Sequence, residues 1–474
     1  MPPDYFKPDH FKFGGGAADT VLHPVVLVAM LVAIILMLAL PRKYVVIPFL
    51  LVAFLTPLGQ EVMIGGMHVF VLRILILAGC GRMLWTKLHS SGEILSGGYT
   101  PLDSAFLAWA IFRAITFVLL FLDPAAMVNR FGFLWDALGG FFLLRFLIRD
   151  QKDVQRVLKC FAVITVILAG CMINEQVTRH NIFADLGGVR NVVEIRDGRV
   201  RSQAAFQHPL LAGAFGGTMF PLFIVLWTLG KDKFLSLLGM ISCVVMVLAS
   251  ATSTSIMSLA AGVLGLMFWP LRKRMRAVRW TLVGGVLALH LAMHAPVWYL
   301  ISHVDLTGGS SSYHRAVLVD HFIRNFGDWW LLGTNSNADW GADMWDTCNQ
   351  YVQEGQDGGL ATFACFLALI VIGFRWIGQA RRAVQGDRKK ELYYWLLGSA
   401  MFSNVIGFFG ISYFDQTRDA WFAFLSMIAA ATLVYRQPRS VQAIPKLADE
   451  HVPAVAAEPY LEHPIAPRES WFTQ

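Results

Sequence analysis

The chain is organised as long apolar runs separated by polar connections. The runs extend over roughly 16–22 residues, about the length that a helix needs to cross the hydrocarbon core of a bilayer. Backbone groups in hydrocarbon must be hydrogen-bonded within their own segment, so such runs form helices. The strands of a membrane barrel would alternate apolar and polar residues, and these runs do not. The predicted spans lie near 24–40, 44–58, 67–84, 102–122, 131–148, 156–174, 208–229, 235–250, 254–269, 280–299, 359–375, 391–409 and 419–435.

This pattern predicts an all-α fold, a polytopic helical membrane bundle of twelve or thirteen transmembrane helices. Composition agrees, because 56% of the residues are hydrophobic, 15% are charged and the mean hydropathy is +0.54. We expect one membrane-embedded domain over residues 1–435. The segment 436–474 combines recurring prolines with scattered charge, which predicts a disordered cytoplasmic tail.

The net charge of +7 changes this picture little. The basic residues cluster beside predicted helix ends, at 272–279 and 375–390, where membrane topology places them on the cytoplasmic side. No aromatic-basic platform accompanies them, so we expect no nucleic-acid partner. No Cys/His spacing resembles a metal site, so we expect neither a metal nor another cofactor. This orientation puts the connections 175–207 and 300–358 on the exterior side.

The exterior connection 300–358 is the longest polar segment between predicted spans. Loops longer than about 12–15 residues are usually functional or disordered, and tryptophans argue against disorder. We therefore expect an ordered loop that carries short helices and most of the chemistry. Its tryptophans are Trp329, Trp330, Trp340 and Trp345.

The second exterior connection, 175–207, carries five arginines on the side where topology disfavours them. Its Asp197-Gly198 pair, between short β-prone runs, predicts a hairpin that brings Arg201 and His208 to the mouth of the span starting at Pro209. We expect Arg201 to have a functional role and not only to pair with an acid or a lipid phosphate. For the remaining arginines, simple pairing with acids or lipid phosphates is the favoured alternative. The arginines in question are Arg190, Arg196 and Arg199, and the nearby acids are Glu175, Asp185, Glu194 and Asp197.

Four segments resemble, in the same order, signatures of the O-antigen ligase and polysaccharide polymerase superfamily. Together they cover about residues 190–375. The resemblance rests on the order and spacing of the segments together. The segments are Arg201-Ser202-Gln203-Ala204-Ala205-Phe206-Gln207-His208-Pro209; Ser253-Thr254-Ser255; Ser311-Ser312-Tyr313-His314-Arg315 with Trp329-Trp330-Leu331-Leu332-Gly333; and Cys348-Asn349-Gln350-Tyr351-Val352 with Glu354 and Gly358-Gly359-Leu360.

The resemblance implies a metal-independent glycosyltransferase of the GT-C-like kind at the periplasmic face of the bacterial inner membrane. Its donor would be a glycan on polyprenyl (undecaprenyl) pyrophosphate and its acceptor another sugar, in surface or exopolysaccharide biosynthesis. A polymerase is favoured over an O-antigen ligase, and other polysaccharide-assembly proteins are possible partners beside the lipid bilayer. Departing diphosphate needs countercharge, which guanidinium groups supply, so Arg201 and Arg315 are expected to hold it. The residues expected to bind substrate are His208, Arg113, His314, Asn349 and Tyr351.

The identity of the general base is undecided, because Cys348 lies at the position where the family has a histidine. A thiol beside many acids is a poor base. We favour Glu354, placed one turn before a helix expected to start near Gly359, although a carboxylate there also suits the helix dipole. The alternatives are Asp346, His314, His321, or a member that does not catalyse transfer and acts as a scaffold.

Arg113 lies in the middle of a predicted span, where a charge must face a cavity or a partner. It would bind the pyrophosphate, or pair with Asp103 or Asp123. A transporter or flippase for lipid-linked glycans is the alternative from another functional class. Such a protein would place polar residues near mid-membrane in both halves, whereas here they concentrate in two loops at one face.

Overall fold

A computed structural model describes residues 20–64, 67–89, 93–230, 232–303 and 311–436. These residues form sixteen α-helices and four short strands, so the predicted all-α fold is confirmed. The predicted tail spans residues 436–474, and all of it except Arg436 lies outside the described residues. The helices are α1 Pro24–Ala39, α2 Arg42–Leu55, α3 Val71–His89, α4 Pro101–Phe121, α5 Pro124–Leu134, α6 Gly140–Leu147, α7 Gln151–Thr178, α8 Pro209–Thr228, α9 Lys233–Ala249, α10 Ser253–Met267, α11 Met275–Ala292, α12 Ser311–Arg324, α13 Phe326–Trp329, α14 Gln350–Ala383, α15 Arg388–Gly407 and α16 Asp415–Thr432. The strands are β1 Glu61–Ile64, β2 Met67–Phe70, β3 Glu194–Arg196 and β4 Arg199–Arg201.

Five of the described helices are long and apolar enough to cross a membrane. A sixth span results if the bent pair Ser253–Met267 and Trp269–Ala292, which meet at 70°, is counted as one. Pro24–Ala39 and Lys233–Ala249 are apolar but shorter. Several helices therefore suit a membrane, while the count of twelve or thirteen spans stays a prediction. The five long helices are α4, α7, α8, α14 and α16, the last continuing to Tyr435.

The spans begin at residues that suit a helix start. In α4 and α8 a proline occupies the first turn, where its missing N–H costs nothing. Thr100 and Asp103 form a reciprocal capping box at α4, and the His208 side chain accepts a hydrogen bond from the Leu210 amide at α8. These caps fix where each helix starts, and the start of α8 borders the site described below.

Helices α8 and α16 lie at the centre of the bundle, since 83% of an 18-residue apolar stretch in each helix is buried. Helix α8 packs against α9, α10 and α15, and α16 packs against α6 and α14. Gly217 allows α8 to approach α10, because a Cβ atom there would lie 3.0 Å from the Leu259 amide nitrogen and the Ser255 oxygen. Small residues commonly permit such contacts between membrane helices.

Buried ion pairs join the outer helices to the bundle. Arg145 and Asp103, both fully buried, pair at 2.8 Å between α6 and α4. Arg113 of α4 pairs with Glu354 at 3.0 Å and with Asp357, both on α14. The expectation that Arg113 faces a partner is confirmed, but the predicted partners are wrong: Asp103 is occupied by Arg145, and Asp123 caps α5.

Candidate functional site

The predicted Asp-Gly hairpin is present. Strands β3 and β4 pair antiparallel, and Asp197 and Gly198 have φ angles of 52° and 73°, as a type I′ turn requires. The register sets Glu194 opposite Arg201, and the two side chains form an ion pair. The hairpin thus delivers Arg201 to the entrance of α8, as the sequence predicted.

The end of α7 fixes the segment after the hairpin. The Glu175 carboxylate accepts hydrogen bonds from the amides of Gln203 at 3.1–3.2 Å and Ala204 at 3.0 Å. The Gln176 side chain donates to the Val200 carbonyl at 2.9 Å and to two further oxygens. Glu175 therefore serves backbone amides rather than an arginine, so its predicted pairing with arginines is wrong. Asp185 lies 3.0 Å from His180.

The long loop predicted to be exterior, called the exterior loop below, has a core of its own, which confirms its order over residues 311–358. Phe322 stacks on Trp329 with ring centroids 4.0 Å apart, and Trp340 and Met344 are buried beside them. Helix α12 packs on this cluster through Leu318. The packing supports the first turns of α12, which carry His314 and Arg315.

Helix α14 starts at Gln350, so the prediction of a start near Gly359 is wrong. The helix is kinked at Gly359, whose φ of 67° belongs to the left-handed region. A Cβ atom at Gly359 would lie 2.5 Å from the Leu331 carbonyl oxygen, so only glycine fits without displacement. Because the helix begins earlier, Glu354 lies inside it and faces the bundle rather than the loop.

A cavity of ≈ 650 Å³ opens where the hairpin, the exterior loop and the ends of several helices meet. It contains Arg201 and Arg315, which come from distant parts of the chain. It also contains His208 and His314, two of the residues predicted to bind substrate. The other charged and polar side chains in its wall are Glu194, Arg196, Asp197, Arg199, Thr252, Ser253, Asp343, Trp345, Asp346, Thr347, Cys348 and Ser412.

The beginnings of five helices surround this cavity. His208 caps α8, Thr252 precedes α10, Cys348 lies just before α14 and Phe414 just before α16, while His314 and Arg315 lie in the first turns of α12. The N-terminal end of a helix carries a partial positive charge from aligned peptide dipoles. Five such ends at one cavity favour an anionic occupant.

The two predicted arginines are buried at the wall of the cavity, with 5% of Arg201 and 4% of Arg315 exposed. Burial lowers the pKa of both guanidinium groups. Arg201 is partly neutralised by Glu194. Arg315 makes no ion pair with any carboxylate in the described part of the chain, and neither Nε atom has a hydrogen-bond partner there. An anion would satisfy Arg315.

The hydrogen bonds of the two histidines distinguish their roles. Nδ1 of His208 accepts the Leu210 amide at 3.1 Å, and burial lowers the pKa of this imidazole, so its proton resides on Nε2. That Nε2 lies 3.7 Å from Glu194. Because Nδ1 already accepts the Leu210 amide and Nε2 carries the proton, His208 has no free lone pair. Nε2 of His314 lies 3.0 Å from the Asp346 carbonyl oxygen, which can only accept. The lone pair of neutral His314 is then on Nδ1.

Cys348 occupies the cavity wall but is not a base. Its thiol donates to the Asp346 carboxylate at 3.0 Å. Burial, and then the neighbouring Asp346, raise the thiol pKa to about 12. The group therefore stays protonated near neutral pH.

Four predicted site residues lie outside the cavity wall. Glu354 is fully buried and accepts hydrogen bonds from Trp109 at 2.7 Å, Arg113 at 3.0 Å and Gln350 at 2.5 Å. Arg113 is turned toward Glu354 and Asp357. The structure thus does not bring Glu354 or Arg113 together with Arg201 and Arg315.

Asn349 and Tyr351 have structural contacts. The Asn349 side chain caps α14 by accepting from the amides of Tyr351 at 2.9 Å and Val352 at 3.2 Å. The Tyr351 hydroxyl donates to the Val405 carbonyl at 2.9 Å. His321, one alternative for the base, is likewise absent from the cavity wall.

Sequence reasoning gave Glu194 and Asp343 no place in the site, although both line the cavity. Glu194 had a usable signal, because the predicted hairpin register already sets it opposite Arg201. Among the described residues, no group of three or more His, Cys, Asp and Glu side chains is arranged to hold a metal ion.

No known protein-family model matches the chain, and no curated protein matches it.

Proposed function

We propose that this protein is a membrane glycosyltransferase that takes glycan from a polyprenyl pyrophosphate-linked donor and passes it to an acceptor sugar. Within that class we favour polymerisation over ligation to a lipid, at the exterior face of the bacterial inner membrane. The observation that carries the proposal is the meeting of two buried arginines, Arg201 and Arg315, in one cavity at the N-terminal ends of five helices.

This arrangement suits a diphosphate leaving group. As the acceptor oxygen attacks the anomeric carbon, the bond from that carbon to the diphosphate oxygen breaks and its electron pair stays on the diphosphate. Guanidinium donors and helix N-terminal ends stabilise this growing charge best where protein excludes water. Arg315 forms no ion pair with a carboxylate among the described residues, and its Nε atom has no hydrogen-bond partner there, so it is suited to bind the leaving group.

The proton of the acceptor hydroxyl needs a base, and we assign this role to His314. Its Nε2 lies against the Asp346 carbonyl, which leaves the lone pair of the neutral ring on Nδ1, and His314 lines the cavity. Asp346 is the second choice, because one of its oxygens already accepts the Cys348 thiol. Glu354, favoured from the sequence, does not line the cavity and is replaced in this role.

The test is glycan synthesis in cells that carry Arg315→Ala, with Arg324→Ala as the matched control. Both arginines belong to α12, but the Arg324 side chain is 68% exposed and pairs with Asp320 at 2.7 Å. We expect Arg315→Ala to abolish glycan lengthening or transfer without loss of membrane insertion, and Arg324→Ala to retain both. Full-length glycan from the Arg315→Ala cells would refute the proposal.

The assay is repeated on purified protein, with donor and acceptor presented together in detergent. A flippase would form no glycosidic bond under these conditions, whereas the proposed enzyme lengthens the acceptor. This arm separates glycan transfer from the movement of a lipid-linked glycan across a membrane.

A further inference from the structure

The tryptophans of the exterior loop fall into two groups. Trp329 and Trp340 are 3% and 7% exposed and build the core of the loop. Trp345 is 60% exposed and Trp330 is 46% exposed. Of these four, Trp345 alone lines the cavity. The loop therefore keeps one large aromatic ring at the wall of a polar cavity instead of in its own core.

The neighbours of Trp345 are suited to hydroxyl groups. Asp343 and Asp346 line the cavity on either side of it in sequence, and Thr347 follows. Asp343 has a φ of 59°, in the left-handed region that costs energy for residues other than glycine. Backbone strain of this kind tends to occur at functional sites. The turn that presents Trp345 thus contains one residue, Asp343, held in an uncommon conformation.

An aromatic face bordered by carboxylates is suited to a pyranose, which has both apolar C–H groups and polar hydroxyls. The ring's C–H groups pack against an indole face, and its hydroxyls donate to carboxylate oxygens. Binding sites for small ligands combine an apolar surface with a few polar groups in this way. We propose that Trp345 is the platform on which a pyranose ring of the acceptor glycan stacks. This inference rests on the proposed function and extends it to a sugar subsite.

Depth in the cavity assigns the platform to the acceptor rather than the donor. Arg201 and Arg315 are 5% and 4% exposed, so the diphosphate and its attached sugar occupy the buried part. Trp345, at 60% exposed, lies at the open part, where an incoming chain arrives from solvent. The acceptor ring would then be held with its hydroxyl directed inward, toward His314.

The test compares Trp345→Ala and Trp345→Phe with Trp330→Ala as the matched control. Trp330 belongs to the same loop and is similarly exposed, but it is not in the cavity wall. In the transfer assay with purified protein, we expect Trp345→Ala to raise the acceptor KM about tenfold with kcat within about twofold, since stacking contributes mainly to binding. Trp345→Phe should recover most of the affinity, and Trp330→Ala should match the unaltered protein.

A second readout measures sugar binding without catalysis. Saturation-transfer NMR on protein in nanodiscs uses the methyl glycosides of glucose, galactose, mannose and N-acetylglucosamine as probes. We expect signal transfer to at least one glycoside, lost in Trp345→Ala and kept in Trp330→Ala. Because Trp345 is largely exposed, its removal leaves the loop core intact, and thermal unfolding of each variant checks this.

The outcomes separate the two proposals. If Trp345→Ala has the same KM as Trp330→Ala while Arg315→Ala is inactive, the sugar platform is refuted and the glycosyltransferase proposal stands. No binding of any glycoside also refutes the platform. If Arg315→Ala transfers glycan normally, the glycosyltransferase proposal falls, and the platform falls with it. A Trp345→Ala variant that loses thermal stability in lipid with unchanged KM identifies the ring as a membrane contact instead.

Discussion

Replacing Arg315 by methionine separates function from stability, because the two should move in opposite directions. Arg315 is 4% exposed and lacks an ion-pair partner among the described residues. Burial lowers the Arg315 pKa; Cys348 and Asp346 partly offset this by raising it, and the charges of Arg196 and Arg201 lower it further. The folded protein therefore holds a cation at an energetic cost, and a methionine of similar length removes that cost.

The expected magnitudes follow from this geometry. Replacing buried charges by apolar groups of similar volume is often neutral or stabilising by about 1–4 kcal/mol. We expect Arg315→Met to unfold at the same temperature as the unaltered protein or above it. Removing one fixed donor from a developing oxyanion typically slows a reaction by about 10²–10³-fold. Glycan transfer by Arg315→Met should therefore fall by at least that factor.

Arg113→Met is the matched control, since Arg113 is a buried arginine with partners. Its loss leaves the fully buried Glu354 carboxylate without its cation. Breaking a buried pair on one side costs roughly 3–5 kcal/mol, so the unfolding temperature should drop. Intrinsic tryptophan fluorescence in nanodiscs reports unfolding, and a lipid-linked donor reports transfer. If Arg315→Met loses as much stability as Arg113→Met, or retains transfer, the assignment of Arg315 as an anion-binding group is refuted.

Three further changes test other parts of the structure. Gly359→Ala should lower stability by about 1–3 kcal/mol in thermal unfolding, because the alanine would have to adopt a left-handed φ and its Cβ atom would lie 2.5 Å from the Leu331 oxygen. The control Gly284→Ala should not lower stability, because no atom lies within 4 Å of the added Cβ atom. Burial keeps His208 neutral in the fold, whereas the unfolded chain binds a proton near pH 6.5, so stability should fall as the pH drops below about 6.5. The His208→Asn variant can still cap α8 and should lose less stability than the unaltered protein between pH 7.5 and pH 5. An equal loss of stability would show that His208 is not the group responsible. Cys348, with its thiol pKa raised to about 12, should be alkylated by iodoacetamide at pH 8 far more slowly than in denaturant, as followed by mass spectrometry. Equal rates would contradict the raised pKa.

Local patterns predicted the parts of this structure that depend on local physics. The Asp197-Gly198 pair specified a hairpin because few other dipeptides adopt two successive positive φ angles easily. Pro209 and its preceding histidine specified the start of α8. Arg201 and His208 reached the cavity because both lie within this locally determined stretch.

The start of α14 was not predictable from hydropathy. The apolar run begins near Gly359, but the helix begins at Gln350 and is capped by the preceding Asn349. The intervening turns are polar because they face a buried arginine, not because they are a loop. That pairing joins α4 to α14 across most of the chain, and no local pattern carries it. For the same reason Glu354 looked like an exposed base in the sequence and is a buried partner in the fold.

The convergence of five helix beginnings on one cavity also depends on long-range packing. Local patterns indicate individual helix starts such as that of α8, whereas the common location of the five starts follows from how α8, α10, α14 and α16 pack. Arg315 was identified through the resemblance of its segment. Its burial without a carboxylate partner among the described residues is visible only in three dimensions.

Direct binding of a diphosphate tests the central claim that Arg201 and Arg315 act on one anion. Calorimetry with farnesyl diphosphate and farnesyl monophosphate, on the unaltered protein, Arg201→Met, Arg315→Met and the double variant, forms a mutant cycle. We predict that the unaltered protein binds the diphosphate more tightly than the monophosphate. Each single variant should lose at least about tenfold in affinity for the diphosphate. In free energy, the double variant should lose less affinity than the sum of the two single losses, because both arginines hold the same group. Equal affinity for the two ligands, or unchanged diphosphate affinity in either single variant, would contradict the claim.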